Sequence, residues 1–221
     1  MTDGSKDTKD ATGIERRLIE AFTRPLPGVD AQMRMAPAPR LGWDPYKMPD
    51  GLRDGAALLL LYPVGDTREP HIVLTVRGSG LRKHTGQVSF PGGSVDPDES
   101  VEAAALREAS EEIGVDPASV RVLGRLTPLH IPVSGYALHP VVGILDARPT
   151  FAIHEWEVAR VLEVTIDMLE DPARLKREQR TRELDGKTYL IDYPYFEIDG
   201  EKVWGATAMA LAEFLALLTN P

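Results

Sequence analysis

At 221 residues the chain is long enough for one globular domain, or one domain with extensions, and 43% hydrophobic with 27% charged content is ordinary for such a domain. A formal net charge of −9 argues against a nucleic-acid-binding surface, so an anionic ligand must be held by local basic groups. There is no cysteine, hence no disulfide or thiolate chemistry, and no apolar run approaches the ~18 residues of a membrane span. The polar N-terminus is unlike a signal peptide and Thr219-Asn220-Pro221 is not a peroxisomal address, so the cytoplasm is the expected compartment.

In chain order, residues 1 to about 11 are polar and read as disordered. Ile14 to Thr23 reads as a short amphipathic helix with Ile14, Leu18, Ile19 and Phe22 on one side. Arg24 to Asp54 is rich in Pro and Gly and reads as a lead-in that wraps the domain, with Trp43 and Tyr46 as anchors. Residues 1–54 are therefore taken as an N-terminal extension and 55–221 as the folded domain. The extension is free to cover a site, to pack at a homodimer interface, or to do neither.

Ala56 to Tyr62 is a continuous apolar run bounded by Gly55 and Pro63, the pattern of a strand buried on both faces. Strands follow at His71–Arg77, Gln87–Phe90, Val120–Leu126, Val141–Leu145 and Trp156–Val164, with a helical turn around Met168. Arg174–Arg182 and Thr188–Tyr193 pair as a hairpin across Asp185-Gly186, a strong turn signal. A short strand at Lys202–Trp204 precedes a closing helix, Ala206 to Leu218, with Ala208, Leu211, Leu215 and Leu218 on one side. Many strands with few helices predict an α+β fold, a mixed sheet flanked by helices.

The chemistry concentrates between Pro91 and Val115. Gly92 and Gly93 lead through Asp96-Pro97-Asp98 into a helix that ends at Gly114, a residue suited to a left-handed C′ position. Asp96 as N-cap with Glu99 three residues on forms a capping-box start; Ser100 caps equally well. Ala105, Ala109, Ile113, Leu106 and Val101 share the core side, yet Glu112 falls inside that arc and Glu108 at its edge. Glu108–Glu112 and Glu108–Glu111 are like-charge pairs, each costing a few tenths of a kcal/mol in an isolated helix. Clustered carboxylates suit a hard divalent cation such as Mg²⁺, although a solvated acidic face is the ordinary meaning of a glutamate run.

The spacing Gly93, Glu99, Arg107-Glu108, Glu111-Glu112, Gly114-Val115 resembles the Nudix box. Ala109 departs from it, standing where the family usually has a larger aliphatic residue. The resemblance covers residues 55 to 218 and implies an α/β/α sandwich and a pyrophosphohydrolase for a nucleoside diphosphate linked to a second moiety. It also implies Mg²⁺ or Mn²⁺ on Glu108 and Glu112 with Glu111 assisting, and Arg107 as a structural partner of glutamates such as Glu99. For the general base, Glu111 is the first choice, one residue from a ligand; Glu157, further along the chain, is the second.

A second segment, Leu74 to Gly93, resembles the coenzyme A diphosphatase branch of the same group through Leu74, Thr75, Arg77, Arg82, Gly86, Phe90, Pro91, Gly92 and Gly93. Gly78 departs from the Ser or Ala expected there. HPVVG from His139 and VWGATA from Val203 also resemble this branch. The implied substrate is coenzyme A or an acyl or oxidised form, cut to 3′,5′-ADP and 4′-phosphopantetheine derivatives. Arg77, Arg82, Lys83 and His84 lie together ahead of the helix, and guanidinium groups fork onto phosphate oxygens. Arg77 and Arg82, with His84, Gly92 and Gly93, are the expected substrate contacts, and Lys83 reads as exposed. Rival readings are hydrolysis of ADP-ribose, a dinucleotide or a nucleoside triphosphate, and a non-catalytic nucleotide-sensing Nudix module.

Overall fold

The run from Ala56 to Tyr62 forms the middle of β1 (Arg53–Val64), and its two faces explain why it is apolar throughout. Ala57, Leu59 and Leu61 project into one core, while Ala56, Leu58, Leu60 and Tyr62 project into a second on the opposite face. A computed structural model describes residues 11–78, 86–132 and 134–219. Before β1 come helices α1 (Ala11–Ala21) and α2 (Gly28–Gln32). After it come β2 (Glu69–Arg77), β3 (Val88–Ser89), β4 (Gly92–Ser94), helix α3 (Val101–Ile113), β5 (Arg121–Arg125), β6 (Leu129–Ile131) and β7 (Tyr136–Ile144). The chain ends with β8 (Val158–Thr165), helix α4 (Ile166–Glu170), β9 (Leu175–Leu184), β10 (Lys187–Ile198), β11 (Glu201–Trp204) and helix α5 (Gly205–Thr219).

The main sheet is mixed. β1 runs parallel to β7 and antiparallel to β2 and β4; β5 and β6 flank β7, and β3 and β8 flank β2. Helices α1 and α5 cover one face through Ile14, Leu18, Leu211 and Phe214, and α3 covers the other through Ala104, Ala105, Ala109 and Ile113. This is the expected α/β/α sandwich. The strands β9, β10 and β11 form a separate three-stranded sheet.

Several local expectations change. Arg24–Asp54 is not continuous loop: it contains α2 and a 3₁₀ turn at Met33–Met35, with Ala31 and Met35 buried. Trp43 packs against the core, but Tyr46 is 65% exposed, its hydroxyl donating to Asp30 (2.5 Å) and its N–H to Asp44 Oδ1 (3.1 Å), so it is no anchor. Gly92 and Gly93, expected as substrate contacts, form a short strand on β1, Gly92 paired with Ala57 and Gly93 with Ala56. A Cβ at Gly92 would come within 2.7 Å of Ala57 Cα and still closer to Ala56 O, so only glycine lets these strands meet. The strand expected from Val141 begins at Tyr136 and runs through Pro140, whose carbonyl accepts from Leu126 N (2.9 Å).

The closing helix is buried on more than one side, from Thr207 through Phe214, because the N-terminal segment packs on it as well as the sheet. Glu213 lies within this stretch, fully buried. Its carboxylate accepts from Gln32 Nε2 (2.7 Å), Thr127 Oγ1 (2.7 Å), Thr127 N (3.1 Å) and Gly28 N (3.2 Å). Helix α2 and the Thr127 segment are thereby tied to one buried carboxylate on α5. The expectation of disorder falls on residues 1–10, outside the described residues.

Candidate active site

Helix α3 starts at Ser100, whose Oγ accepts from Ala103 N (3.1 Å), and ends at Gly114 in the left-handed region (φ 72°). Asp96 is not the cap, yet half of the expected capping box survives: Glu99 Oε2 accepts from Asp96 N at 3.2 Å. The later start leaves Glu99 in the preceding loop, facing Arg107. The Arg107 guanidinium donates from Nε to Glu99 Oε1 (3.0 Å), from Nη1 to Glu108 Oε1 (2.9 Å) and Glu111 Oε2 (3.3 Å), and from Nη2 to the Ser94 carbonyl (3.0 Å). One planar cation thus ties the loop, β4 and two helix glutamates together. Bonding to Arg107 holds the Glu99 carboxyl below its usual range and lifts Arg107 in turn.

Glu112 lies on the sheet-facing side of α3, only 6% exposed. Its Oε2 is buried and has no hydrogen-bond partner among the described residues. Burial, reinforced by the negative charges of Glu108 and Glu157, pushes its carboxyl up to about 8, while the Gly92 backbone and Arg77 pull the other way. Glu108 is also raised, by burial first, against the pull of Arg107. Such a cluster is incomplete without a cation.

These side chains line a cleft of about 520 Å³ that also takes in Arg77, Gly92, Gly93 and Glu157. Arg77 Nε is buried there without a hydrogen-bond partner among the described residues. The wall opposite includes Tyr136, whose hydroxyl lies 2.8 Å from Ser94 Oγ and whose ring carries the Arg53 guanidinium at 4.2 Å. Tyr136 and Ser94 went unnoticed in the sequence; their joint signal, a hydroxyl pair formed across the sheet, exists only after folding. Glu111 points elsewhere, 60% exposed and bonded to Arg107. Glu157 sits just before β8, which begins at Val158 and not Trp156 because Glu157 N and Val158 N both donate to the His154 carbonyl (2.9 Å each) and form a turn. The Glu157 carbonyl accepts from Gly78 N (2.7 Å), and His154 Nδ1 lies 3.5 Å from its carboxylate. Of the expected contacts, Arg77, Gly92, Gly93, Glu108, Glu112 and Glu157 come together; Arg82, His84 and Lys83 lie outside the described residues.

The donor set fits a hard divalent cation. Glu108 and Glu112 supply carboxylate oxygens, one of them buried and unpaired, and the cavity between strand and helix is shaped by a missing side chain. Among the described residues no three His, Asp or Glu side chains are arranged to hold an ion as they stand; Glu108 faces Arg107 instead.

Gly93 explains how Glu108 reaches the cleft. A Cβ there would overlap the Glu108 carboxylate, coming within 2.5 Å of Oε2. Because that obstacle is the end of a flexible side chain, Gly93→Ala is expected to fold normally while displacing the carboxylate. Turnover should fall by about 100-fold. Steady-state rates beside a thermal melt check this, and unchanged rates would remove the role given to Gly93.

Residues 52–182 match the profile of the NUDIX domain family. An uncharacterized Nudix hydrolase, NudL, from Yersinia pestis (strain Pestoides F) is 38% identical over 151 residues, covering 67% of this chain and 73% of the relative. Among solved structures, a Nudix hydrolase from M. smegmatis, RenU, is similar at 22% identity over 54% of this chain and 74% of its own, with a TM-score of 0.46. A MutT/nudix family protein from Enterococcus faecalis covers 96% of this chain and 72% of its own at 14% identity, with a TM-score of 0.46.

Proposed function

Because the chain belongs to the NUDIX domain family and is therefore an enzyme acting on pyrophosphate bonds of small nucleotides, we propose that its substrate is coenzyme A or an acyl or oxidised derivative, cut to 3′,5′-ADP and 4′-phosphopantetheine derivatives. The observation that carries the reading is the position of Arg77. It belongs to the segment resembling the coenzyme A branch, and it lines the same cleft as Glu108 and Glu112 with a buried, unpaired Nε. A guanidinium so placed suits a phosphate oxygen of a diphosphate drawn toward the two glutamates.

In the proposed reaction Glu108 and Glu112 hold Mg²⁺ or Mn²⁺. When bound, such an ion neutralises charge on the diphosphate and makes a water acidic enough to attack. Arg107 keeps Glu108 and Glu99 in place without touching substrate. Arg77 orients the diphosphate, and the Gly92-Gly93 strand keeps that side of the cleft free of side chains. Glu157 takes the proton of the attacking water: it lines the cleft, whereas Glu111 is exposed and bonded to Arg107. No helix among the described residues is long and apolar enough to cross a membrane, in keeping with a substrate met in water.

A substrate panel with added Mg²⁺ and Mn²⁺ tests the proposal. Coenzyme A is expected to give 3′,5′-ADP, seen by mass spectrometry, at a kcat/KM at least about tenfold above ADP-ribose, dinucleotides and nucleoside triphosphates. Turnover of ADP-ribose with coenzyme A untouched would transfer the site to that substrate.

A further inference from the structure

A second cavity, of about 410 Å³, has aromatic walls from Trp43, Tyr193 and Trp204 and two guanidinium groups, from Arg40 and Arg182. It adjoins the glutamate cleft. Leu129 lines the cavity and Leu138 lines the cleft, and these residues face one another across the β6–β7 ladder. Opposed residues of an antiparallel ladder project to the same face with Cα atoms ~5 Å apart. In the same way Ala206 lines the cavity and Thr207 the cleft, as neighbours in the first turn of α5. The two spaces therefore adjoin at the Leu129–Leu138 pair and at the start of α5.

The walls have the chemistry of a flat, charged ligand. The Tyr193 and Trp204 rings meet edge to face at 5.7 Å, with the Arg180 guanidinium 5.5 Å and 5.3 Å from their centroids. Trp43 Nε1 and His130 Nδ1, both on residues lining the cavity, are buried and lack hydrogen-bond partners among the described residues. An indole N–H only donates, and an imidazole nitrogen donates or accepts according to tautomer. A ligand ring that carries both acceptors and a donor would answer both groups, and adenine carries ring-nitrogen acceptors beside an amino donor. Arg182 has no acidic partner among the described residues, and Arg40 donates to Met33 Sδ at 3.4 Å and acts electrostatically on the Tyr46 hydroxyl. Guanidinium groups in this state suit phosphate.

We infer that this cavity binds the nucleoside end of the substrate, with a purine ring among Trp43, Tyr193 and Trp204 and a ribose-borne phosphate facing Arg40 and Arg182. The link to the cleft rests on the proposed nucleotide substrate; the cavity itself is testable without turnover. Calorimetric titration of the full chain with adenosine 3′,5′-bisphosphate, without divalent metal, is the test. Wild-type protein is expected to bind, and Trp43→Leu and Arg182→Gln each to bind about tenfold or more weakly. Arg182 is exposed on a strand, so Arg182→Gln remains decisive should Trp43→Leu fail to fold. Absence of binding by wild type, or equal binding by Arg182→Gln, overturns the inference. A wild-type enzyme that binds the bisphosphate and ignores coenzyme A would sink the substrate reading alone.

Discussion

Glu112→Gln is expected to lower turnover at least ~100-fold while leaving the melting temperature unchanged or higher. The two halves of this result have one cause. Glu112 is buried on the core side of a helix, its Oε2 is unpaired among the described residues, and its neighbours Glu108 and Glu157 share its sign. With its carboxyl pushed up to about 8, Glu112 is largely protonated at neutral pH when no cation is near, so an amide of the same shape removes almost nothing that folding uses. What the amide removes is the ability to become an anion when a cation arrives. Steady-state hydrolysis beside a calorimetric melt measures both, and near wild-type turnover would eliminate the proposed metal site. The same assay on Glu111→Gln and Glu157→Gln ranks the two proton acceptors, with the larger loss expected at Glu157.

Glu213→Ala should have the opposite signature, a large loss of stability with chemistry spared in whatever fraction stays folded. The carboxylate is fully buried and receives Gln32 Nε2, Thr127 Oγ1 and the backbone N–H groups of Thr127 and Gly28. Truncation strands these donors in a space closed to bulk water. Each unsatisfied donor costs about 1–3 kcal/mol, and partial relaxation brings the total to about 3 kcal/mol. For a domain of this size that is a drop of roughly 6–12 °C in Tm. Glu213→Gln should lose less, because its carbonyl still accepts while its amide N–H faces donors. A melt of Glu213→Ala within a degree of wild type would show that this cluster is not what holds α2 to α5.

The two glutamates differ in how far they could be read from sequence. Glu112 announced itself because α3 is amphipathic and a carboxylate stood among its apolar positions, at a spacing shared with Glu108, Glu99 and Arg107. Glu213 stood in a far more apolar helix, but its partners, Gln32 and Thr127, come from distant parts of the chain that no helical period connects. The buried run at Ala56–Tyr62, the Asp185-Gly186 hairpin and the left-handed Gly114 were legible because each follows from local chemistry. The Gly92-Gly93 strand was not: its glycines signal a turn, and only the neighbouring Ala57 backbone and Glu108 carboxylate reveal that they are there for close approach. Along the chain Glu111 ranked ahead of Glu157 as the base because it stands one residue from an expected ligand; in the fold Glu157 lines the cleft, whereas Glu111 is exposed and bonded to Arg107. The cavity beside the cleft had no signature, since its aromatic and basic walls come from the N-terminal lead-in and the β9–β11 sheet.

The parallel pairing of β1 with β7 sets the order in which this enzyme can come into being. Arg53 faces Tyr136 and Leu61 faces Ile144, and everything from β2 through α3 to β6 is strung between those partners. Closing so long a loop is entropically costly and returns nothing until the strands meet, so it belongs to the slow part of the folding barrier. The glutamate helix is held inside that loop. A nascent chain can coil it early against β1, which precedes it, but the second core lacks Val141, Leu145 and Val158, and the cleft lacks Glu157, until synthesis has reached β8.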